Sequence, residues 1–405
     1  MHLPVVPTPS PRRAIDVLRH PSSLPAAPAP SREHRVLLAC ARSVLTSERE
    51  ADPGLVEGLD AARLKQLGAR HGMLPLLGPF LASFGPAAAP LRAALRERFL
   101  DGTRSALALT GELLPLVRRL EEREIPVAAY KGPALALQAY GDPSLRTFVD
   151  LDLLVPPASL DRAAAALREL GFAGEPFASE AQRRAVLRDG HHLLLTRGPV
   201  TVELHWRLSK RMFGFTEELS GVWARRRRLP VRAATVPVLA PEDHMLGLAI
   251  HASRGLWSVL EWTLAIAVLA RAVPGTGWPE VARRAEAWGC ARVLQVSLLL
   301  SEALFATPAP AGLWACLPPS AATRALARAI AARTLAGTYS PAWYLRTQAA
   351  LRPGPLGKLA FVLRSLFVST PDDWAAAGGT RRELVLARLA RPLRLLRKYL
   401  GRKTP

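Results

Sequence analysis

The sequence predicts an α/β (α+β) protein with a strand-bearing core between two helical regions. Helical spacing of apolar residues recurs before the core, and strand-like alternation is confined to a short central stretch. Beyond that stretch the pattern is helical again nearly to the end. The predicted regions are a flexible Pro/Ala-rich tail at 1–30, a helical N-terminal region at 31–115, an α/β core at 116–240 and a helical C-terminal region with a basic tail at 241–405.

The composition fits a chain with a substantial buried core and a strong positive charge. Apolar residues make up 49% of the 405 residues, and the formal net charge is +21. Only six of the 54 basic residues are lysines, so the charge reflects an arginine-rich composition as much as it indicates a polyanionic partner.

No sequence pattern indicates secretion or membrane insertion. The three cysteines, Cys40, Cys290 and Cys316, are far apart and form no CxxC pair, so neither a disulfide framework nor a zinc site is expected. The first residues lack the apolar run of a signal peptide. The most apolar segments, 256–273 and 293–305, each contain a glutamate and are shorter than a span of about 20 residues. We therefore expect a cytoplasmic protein.

The predicted elements follow from helix and turn signals in order. Breaks near Pro53, Gly85 and Gly102 divide the first helical region, whose last helix is predicted at 106–124 with a kink at Pro115. The core elements are then a strand at 125–130, a turn at Lys131-Gly132, a helix at 133–140, a strand at 148–155 and a helix at 159–170 closed by Gly171.

The most informative motif is Asp150-Leu151-Asp152. Successive strand side chains point to opposite faces, so Asp150 and Asp152 share a face while Val149, Leu151 and Leu153 are available to the other. Two adjacent hard oxygen ligands suit Mg²⁺, which leaves its other positions to water and phosphates. The pair therefore predicts a metal site for phosphoryl or nucleotidyl transfer, with ordinary exposed strand or turn carboxylates as the alternative.

A second carboxylate-bearing strand follows. Strands at 191–196 and 200–206 are joined by a short turn, and in the second strand Glu203 and His205 share the face opposite Val202, Leu204 and Trp206. If this strand lies beside the Asp150 strand, Glu203 becomes a third carboxylate at the metal site.

Taken in order, these motifs resemble the uncharacterised nucleotidyltransferase family of bacteria, a branch of the superfamily typified by DNA polymerase beta. The residues that carry the resemblance are Lys131-Gly132, Tyr140-Gly141-Asp142-Pro143, Leu145-Arg146, Asp150 to Val155, His192 and Val202 to Trp206, followed by Pro241-Glu242-Asp243, His251, Trp257 and residues 369–374.

The resemblance implies a small mixed nucleotidyltransferase sheet flanked by helices, a bound nucleoside triphosphate, expected to be ATP, and two divalent ions, Mg²⁺ or Mn²⁺. One ion would lower the pKa of an acceptor hydroxyl, and the other would stabilise the pyrophosphate leaving group. The implied catalytic and metal-binding residues are Asp150, Asp152 and Glu203. The implied nucleotide-binding residues are Lys131, Gly132, Arg146, His192 and His205.

One departure from the superfamily concerns the phosphate-binding turn. The superfamily commonly has Ser or Gly after the first glycine, whereas Pro133 follows Gly132 here and offers neither a backbone N–H nor a hydroxyl. Each binding residue also has a structural alternative: Lys131 as a solvated turn lysine, Arg146 as one of 48 arginines, and the histidines as hydrogen-bonding groups beside the sheet.

Two basic segments have alternative interpretations. Arg225 to Arg228 forms either an anion-binding patch or a solvated face. The segment 381–403 either contacts an anionic membrane surface or nucleic acid, or forms a helix packed on the protein with its charges outward.

The predicted function is Mg²⁺-dependent transfer of a nucleoside monophosphate from a nucleoside triphosphate to a hydroxyl or phosphate acceptor on a small molecule, peptide or protein. The alternative is a catalytically inactive fold that binds nucleic acid or an anionic membrane surface. The acceptor and the oligomeric state are open, and the tryptophans of the C-terminal region, Trp257, Trp262, Trp278, Trp288 and Trp374, are candidates to line an acceptor pocket.

Overall fold

The computed structural model describes residues 29–46, 52–174, 177, 179–217, 219–337, 339–370, 373–374 and 380–400. The flexible tail predicted for residues 1–30 lies outside these ranges except for its last two residues, as does the end of the basic segment. Among the described residues, Cys40, Cys290 and Cys316 are all free thiols.

Six strands form one mixed sheet, in the order β3-β4-β2-β1-β6-β5. Strands β2 and β4 are parallel, β1 is antiparallel to β2, and β1 is parallel to β6. The strands are β1 (Ala128–Ala129), β2 (Leu151–Leu154), β3 (His192–Arg197), β4 (Val200–His205), β5 (Arg227–Val231) and β6 (Ala234–Val238). The predicted fold class, a small mixed sheet with helical regions on both sides, is confirmed.

Helices precede, flank and follow this sheet. The N-terminal helices are α1 (Arg32–Thr46), α2 (Ala61–Arg70), α3 (Leu74–Ala82) and α4 (Ala89–Glu122). Those of the core are α5 (Gly132–Tyr140), α6 (Leu160–Glu169), α7 (Glu180–Asp189) and α8 (Ser220–Arg225). The C-terminal helices are α9 (Pro241–Arg254), α10 (Leu260–Arg271), α11 (Trp278–Ala287), α12 (Ala291–Phe305), α13 (Leu313–Cys316), α14 (Ala321–Ala336), α15 (Pro341–Ala350), α16 (Gly354–Phe367) and α17 (Arg381–Leu400).

The structure corrects several predicted boundaries. Helix α4 runs through Gly102 for 34 residues without a break there, and contains Pro115. Glycine costs a helix about 1 kcal/mol relative to alanine, which the packing of a long helix readily offsets. The strand predicted at 148–155 is only four residues long, and Val149, which the alternation placed on the same face as Leu151 and Leu153, is 75% exposed. The β5–β6 hairpin was not predicted from the sequence.

One face of the sheet packs on α4 and α6. Leu151, Leu153 and Leu204 are fully buried in the same core as Leu116 of α4 and Leu167 of α6. Fully burying each leucine contributes about 1.5 to 3 kcal/mol. This packing fixes which side chains of β2 and β4 point to the opposite face of the sheet.

The helices that precede the sheet in the sequence and those that follow it pack together in a second core. Leu37 and Leu77 of the N-terminal helices lie in one apolar cluster with Leu264 and Leu298 of the C-terminal helices. Trp257, Trp278 and Trp288 belong to this cluster and are almost completely buried. They stabilise the core and do not line the acceptor pocket for which they were candidates.

The arginine run at 225–228 is largely engaged within the protein. Arg225 donates to Asp243 through Nε at 2.9 Å, Arg226 donates to the carbonyl of Val127, and Arg228 pairs with Glu121. These contacts leave little of the run free to bind an external anion.

Three arginines of helix α17 contact the rest of the protein. Arg388 donates to the carbonyl of Phe367 at 2.6 Å, and Arg391 and Arg394 both pair with Asp373. The exposed side chains of this helix include Leu389 and Leu393, each 61% exposed. The helix therefore exposes apolar as well as charged side chains, among them Arg382 and Glu383. None of the helices within the described ranges is long and apolar enough to cross a membrane.

Candidate functional site

The parallel pairing of β2 and β4 brings two carboxylates together. Asp152 lies opposite Glu203 in the register, between the buried pairs Leu151–Val202 and Leu153–Leu204. Because alternate side chains of a strand share a face, Asp152 and Glu203 both project from the face opposite α4 and α6. The Glu203 strand therefore lies beside the aspartate strand, which is the condition for Glu203 to join the aspartates at one site.

His205 joins these carboxylates. Its Nε2 lies 2.9 Å from Asp152 Oδ1 and 3.0 Å from Glu203 Oε2, and the ring is almost completely buried. One ligand atom from each of Asp152, Glu203 and His205 lies within 4.8 Å of the other two. This arrangement has the spacing of a metal-binding cluster.

Asp150 lies just before β2 and is half-buried. Among the described residues its carboxylate has neither a hydrogen-bond nor an ion-pair partner, and it is outside the Asp152, Glu203 and His205 cluster. Burial, followed by the nearby carboxylates of Asp152 and Glu203, raises the pKa of Asp150 to about 6. An unpaired carboxylate repelled by two others is an environment that a divalent cation would relieve.

Lys131 supplies the positive charge at these carboxylates. Its Nζ pairs with Asp152 and lies 3.9 Å from Glu203 Oε2, and its side chain is only 10% exposed. Burial opposes the ammonium charge, but the charge of Asp152 outweighs it and raises the pKa of Lys131. Lys131 is therefore a buried partner of the site and not a solvated turn lysine.

The backbone of the Lys131-Gly132 turn is strained and tightly placed. Lys131 has φ 55° and ψ −155°, a region occupied almost only by glycine. Gly132 has φ 43°, and a Cβ there would lie 3.3 Å from the Asp150 carbonyl oxygen. The turn thus presses against the residue where the aspartate strand begins, and Pro133 follows within the first turn of α5.

His244 of α9 holds this turn, a role that the sequence analysis missed. The Lys131 N–H donates to His244 Nε2 at 3.0 Å, and His244 Nδ1 lies within hydrogen-bond distance of Gln138 Oε1. Burial lowers the pKa of His244 to about 3, so the ring is neutral and its Nε2 accepts. In the sequence, His244 directly follows the Pro241-Glu242-Asp243 motif, and this position was the available sign of a role at the site. The 113 residues between Lys131 and His244 gave no indication that the two are in contact.

Histidines extend the site beyond the carboxylates. His192 Nδ1 lies 3.2 Å from Glu203 Oε2, and the rings of His191 and His192 are 4.3 Å apart between centroids. Nitrogen atoms of His191, His192 and His205 also lie within 4.8 Å of one another. Burial lowers the pKa of His191 and of His192, so both rings are neutral near pH 7.

The charges of the cluster are mutually dependent. Burial works to raise the pKa of Glu203, but hydrogen bonds with His192 and His205 outweigh it and lower that pKa. Burial likewise opposes ionisation of Asp152, whose pKa is lowered by Lys131 and His205. Burial lowers the pKa of His205, but hydrogen bonds with the two carboxylates raise it. The net result is a pKa above the usual value of histidine. Both carboxylates are therefore ionised at neutral pH.

Arg146 is buried beside the site and paired within the protein. Its Nε donates to Glu261 Oε1 at 2.9 Å, and the Tyr140 hydroxyl donates to the same oxygen at 3.1 Å. Phosphate contact by Arg146 and by His205 stays a prediction, because the described geometry uses these side chains to hold carboxylates.

The donor set fits a divalent cation. Asp152 and Glu203 offer ionised oxygens at a shared point, Asp150 offers an unpaired oxygen beside them, and His205 could add its Nε2 only by losing the proton that it donates to the two carboxylates. Carboxylate oxygens suit Mg²⁺, and a site that adds imidazole also suits Mn²⁺. The site therefore has the donors that phosphate chemistry assisted by a divalent ion requires.

Comparison with known proteins assigns the chain to a nucleotidyltransferase family. The sequence signature of the family described as "Uncharacterised nucleotidyltransferase" matches residues 57–306. The chain belongs to this family. No curated protein matches it. Among solved structures, it is similar to one described as the crystal structure of an antigenic nucleotidyltransferase-like protein from Paracoccidioides brasiliensis, with 18% identity, 52% of this chain and 98% of that chain covered, and a TM-score of 0.32.

Proposed function

We propose that the protein transfers a nucleoside monophosphate from a nucleoside triphosphate to a hydroxyl or phosphate acceptor. The observation that carries this proposal is the meeting of Asp152 and Glu203 across two parallel strands, with the unpaired Asp150 carboxylate at the start of the same strand. Family membership supports the same chemistry. ATP as the donor and a cytoplasmic location remain predictions.

In this proposal Asp150, Asp152 and Glu203 hold the divalent ions, Mg²⁺ or Mn²⁺. A bound ion would offset the charge of the triphosphate and stabilise the pyrophosphate leaving group. His205 positions Asp152 and Glu203 through its Nε2. His192 contacts Glu203 through its Nδ1.

The Lys131-Gly132 turn is the proposed triphosphate-binding element. Lys131 neutralises Asp152 in the described state, and its flexible side chain can exchange this carboxylate for a phosphate oxygen. Gly132 lets a phosphate approach the backbone closely, because it has no Cβ. His244 keeps the turn in its strained conformation.

Labelled nucleotides test the proposed transfer. The purified protein is incubated with each nucleoside triphosphate carrying ³²P at the α or the γ position, together with Mg²⁺ or Mn²⁺ and a fractionated host lysate. We expect α label in an acceptor and γ label only in pyrophosphate. Transfer of γ label to the acceptor, or α transfer that persists in Glu203→Gln, would overturn the proposal. Glu97→Gln, an exposed glutamate of α4, is the matched control.

A second candidate role is binding to an anionic membrane surface, and one observation favours it. Leu356 and Leu359 of α16 and Leu389 and Leu393 of α17 are each more than half exposed, in a region rich in arginine. Flotation with phosphatidylserine vesicles at low and high salt tests it, with phosphatidylcholine vesicles as the control. Binding that requires phosphatidylserine and weakens in Leu389→Ser would support this role, and no binding would exclude it.

A further inference from the structure

A large cavity lies beside the end of β4. Its volume is about 930 Å³, within the usual range for small-molecule sites. Trp206 and Arg207, which follow β4, line it together with Phe215, Trp223, Arg364 of α16 and Arg388 of α17. The cavity therefore combines aromatic surface with several guanidinium groups.

A smaller cavity adjoins the large one. It has a volume of about 50 Å³, is lined by His191 and His192, and shares Asp189 and Val368 with the larger cavity. His192 in turn lies 3.2 Å from Glu203. The cavities thus lie next to the histidine that contacts Glu203.

The arginines around the cavity carry charge that the described residues do not neutralise. Arg364 has a buried Nε without a hydrogen-bond partner among the described residues. Arg352, 3% exposed, has all three guanidinium nitrogens without such a partner and lies over the rings of Phe215, at 4.7 Å, and Phe361, at 5.0 Å. The aromatic rings attract the cation but supply no counter-charge. Buried cations of this kind are costly unless an anion pairs with them.

The acidic residues of the cavity do not cancel this charge. Asp189 is engaged by Arg188, with Nη2 at 2.8 Å from Oδ2. Burial raises the pKa of Glu217 to about 7, so this carboxyl is about half neutral at that pH, and the Ser209 hydroxyl donates to it. Arg352 and Arg364 form neither hydrogen bonds nor ion pairs through their side chains in the described part of the chain, whereas the charge of Arg207 acts on Glu217.

We propose that this cavity binds the acceptor, and that the acceptor is a small molecule carrying a phosphate or carboxylate group on an apolar or planar body. This inference rests on the proposed nucleotidyl transfer. The acceptor oxygen forms a bond to the α-phosphorus, the bond from that phosphorus to the bridging oxygen of the β-phosphate breaks, pyrophosphate leaves, and the acceptor hydroxyl proton passes to solvent. The arginines bind the anionic group, and Phe215 and Trp223 pack against the body.

The binding of simple probes tests the pocket without the transfer reaction. Phenyl phosphate, benzoate and the neutral benzyl alcohol are titrated into the full-length protein without divalent ions, with tryptophan fluorescence and calorimetry as readouts. Arg364→Met keeps the length of the side chain and removes its charge. Arg346→Met, an exposed arginine of α15, is the matched control.

We expect phenyl phosphate or benzoate to bind, benzyl alcohol to bind at least about tenfold more weakly, and Arg364→Met to lose at least about tenfold in anion affinity. The probe that binds more tightly identifies the anionic group. Equal binding of the neutral probe, unchanged affinity in Arg364→Met at an unchanged melting temperature, or no anion binding by the native protein would overturn the inference.

Nucleotide binding is measured separately from probe binding. Cation-dependent binding of nucleoside triphosphate should be the same in Arg364→Met as in the native protein. Loss of anion binding with intact nucleotide binding assigns the effect to the pocket. A native protein that binds no nucleotide contradicts the proposed transfer, whatever the probes show.

Discussion

Lys131 combines a strained backbone with a buried charge, and both features point to function. Its φ and ψ lie in a region that costs a non-glycine residue about 1 to 3 kcal/mol. The strain persists because His244 accepts the Lys131 N–H and Asp152 pairs with the ammonium. A lysine retained in a glycine conformation is consistent with a side chain that contacts the substrate.

Lys131→Met should show that cations and this lysine compete for the same carboxylates. The variant leaves Asp152 with only His205 as its partner, which costs about 3 kcal/mol of unfolding free energy. We expect a lower melting temperature in EDTA and partial recovery in Mg²⁺ or Mn²⁺. The exposed Lys358→Met is the control. An equal decrease in melting temperature with and without divalent ions would contradict cation binding by Asp152 and Glu203.

Residue types and their spacing allowed part of the site to be predicted. The alternation in β4 placed Glu203 and His205 on one face, and the structure confirms that this strand pairs with β2. The same alternation failed for Val149, because regular strand structure begins only at Leu151. Asp150 therefore lies at the start of the strand, outside the cluster that Asp152 forms.

At the scale of elements, the turn between β1 and α5 is set by contact with the aspartate strand. Gly132 adopts a positive φ, and a Cβ there would make a tight contact of 3.3 Å with the Asp150 carbonyl oxygen. The sequence indicated a turn here, because glycine precedes a proline at the start of a helix. The closeness of the turn to Asp150 depends on the antiparallel pairing of β1 and β2, which no local pattern encodes.

Gly132→Ala should distinguish the effect of the close contact with the Asp150 carbonyl from the effect of ordinary backbone strain. Gly141, at the other end of α5, also has a positive φ, of 72°, but a Cβ there would meet nothing within 4 Å. Each alanine should therefore lower stability by about 1 to 2 kcal/mol. Only Gly132→Ala should also weaken nucleotide binding, measured by calorimetry. Similar nucleotide affinities in the two variants would show that the turn does not contact the triphosphate.

At the scale of the whole molecule, the site depends on contacts between distant parts of the chain. Asp243 at the start of α9 is fully buried and pairs with Arg225 and Arg284, which places the next residue, His244, under the Lys131 turn. The β5–β6 hairpin escaped prediction because its arginines resemble a solvated face. The ion pairs of Asp243 with Arg225 and Arg284 form only when elements far apart in sequence pack together.

Buried neutral histidines should make the stability of the protein depend on pH. Burial lowers the pKa of His71 to about 3, whereas in the unfolded chain it is near 6.5. Both states are neutral above pH 6.5, so the stability is fully present there. As the pH falls toward 3, only the unfolded state gains the proton, and stability is lost.

His71→Leu isolates this effect. Between pH 7 and pH 5 the native protein should lose about 2 kcal/mol more of its unfolding free energy than the variant does, because leucine binds no proton. Urea unfolding at the two pH values measures the difference. The same pH dependence in both proteins would show that His71 is not buried in its neutral form.

We propose that Asp150, Asp152 and Glu203 bind nucleoside triphosphate through divalent ions, and the variant Asp150→Asn tests this binding. Asp150 has no hydrogen-bond or ion-pair partner in the described structure, so the substitution removes a cation ligand while leaving the packing intact. The measurement is calorimetric titration of each nucleoside triphosphate with Mg²⁺, Mn²⁺ or EDTA. The account predicts binding that requires a divalent ion and weakens at least about tenfold in Asp150→Asn at an unchanged melting temperature. Equal binding in EDTA, or an unchanged affinity in the variant, would contradict it.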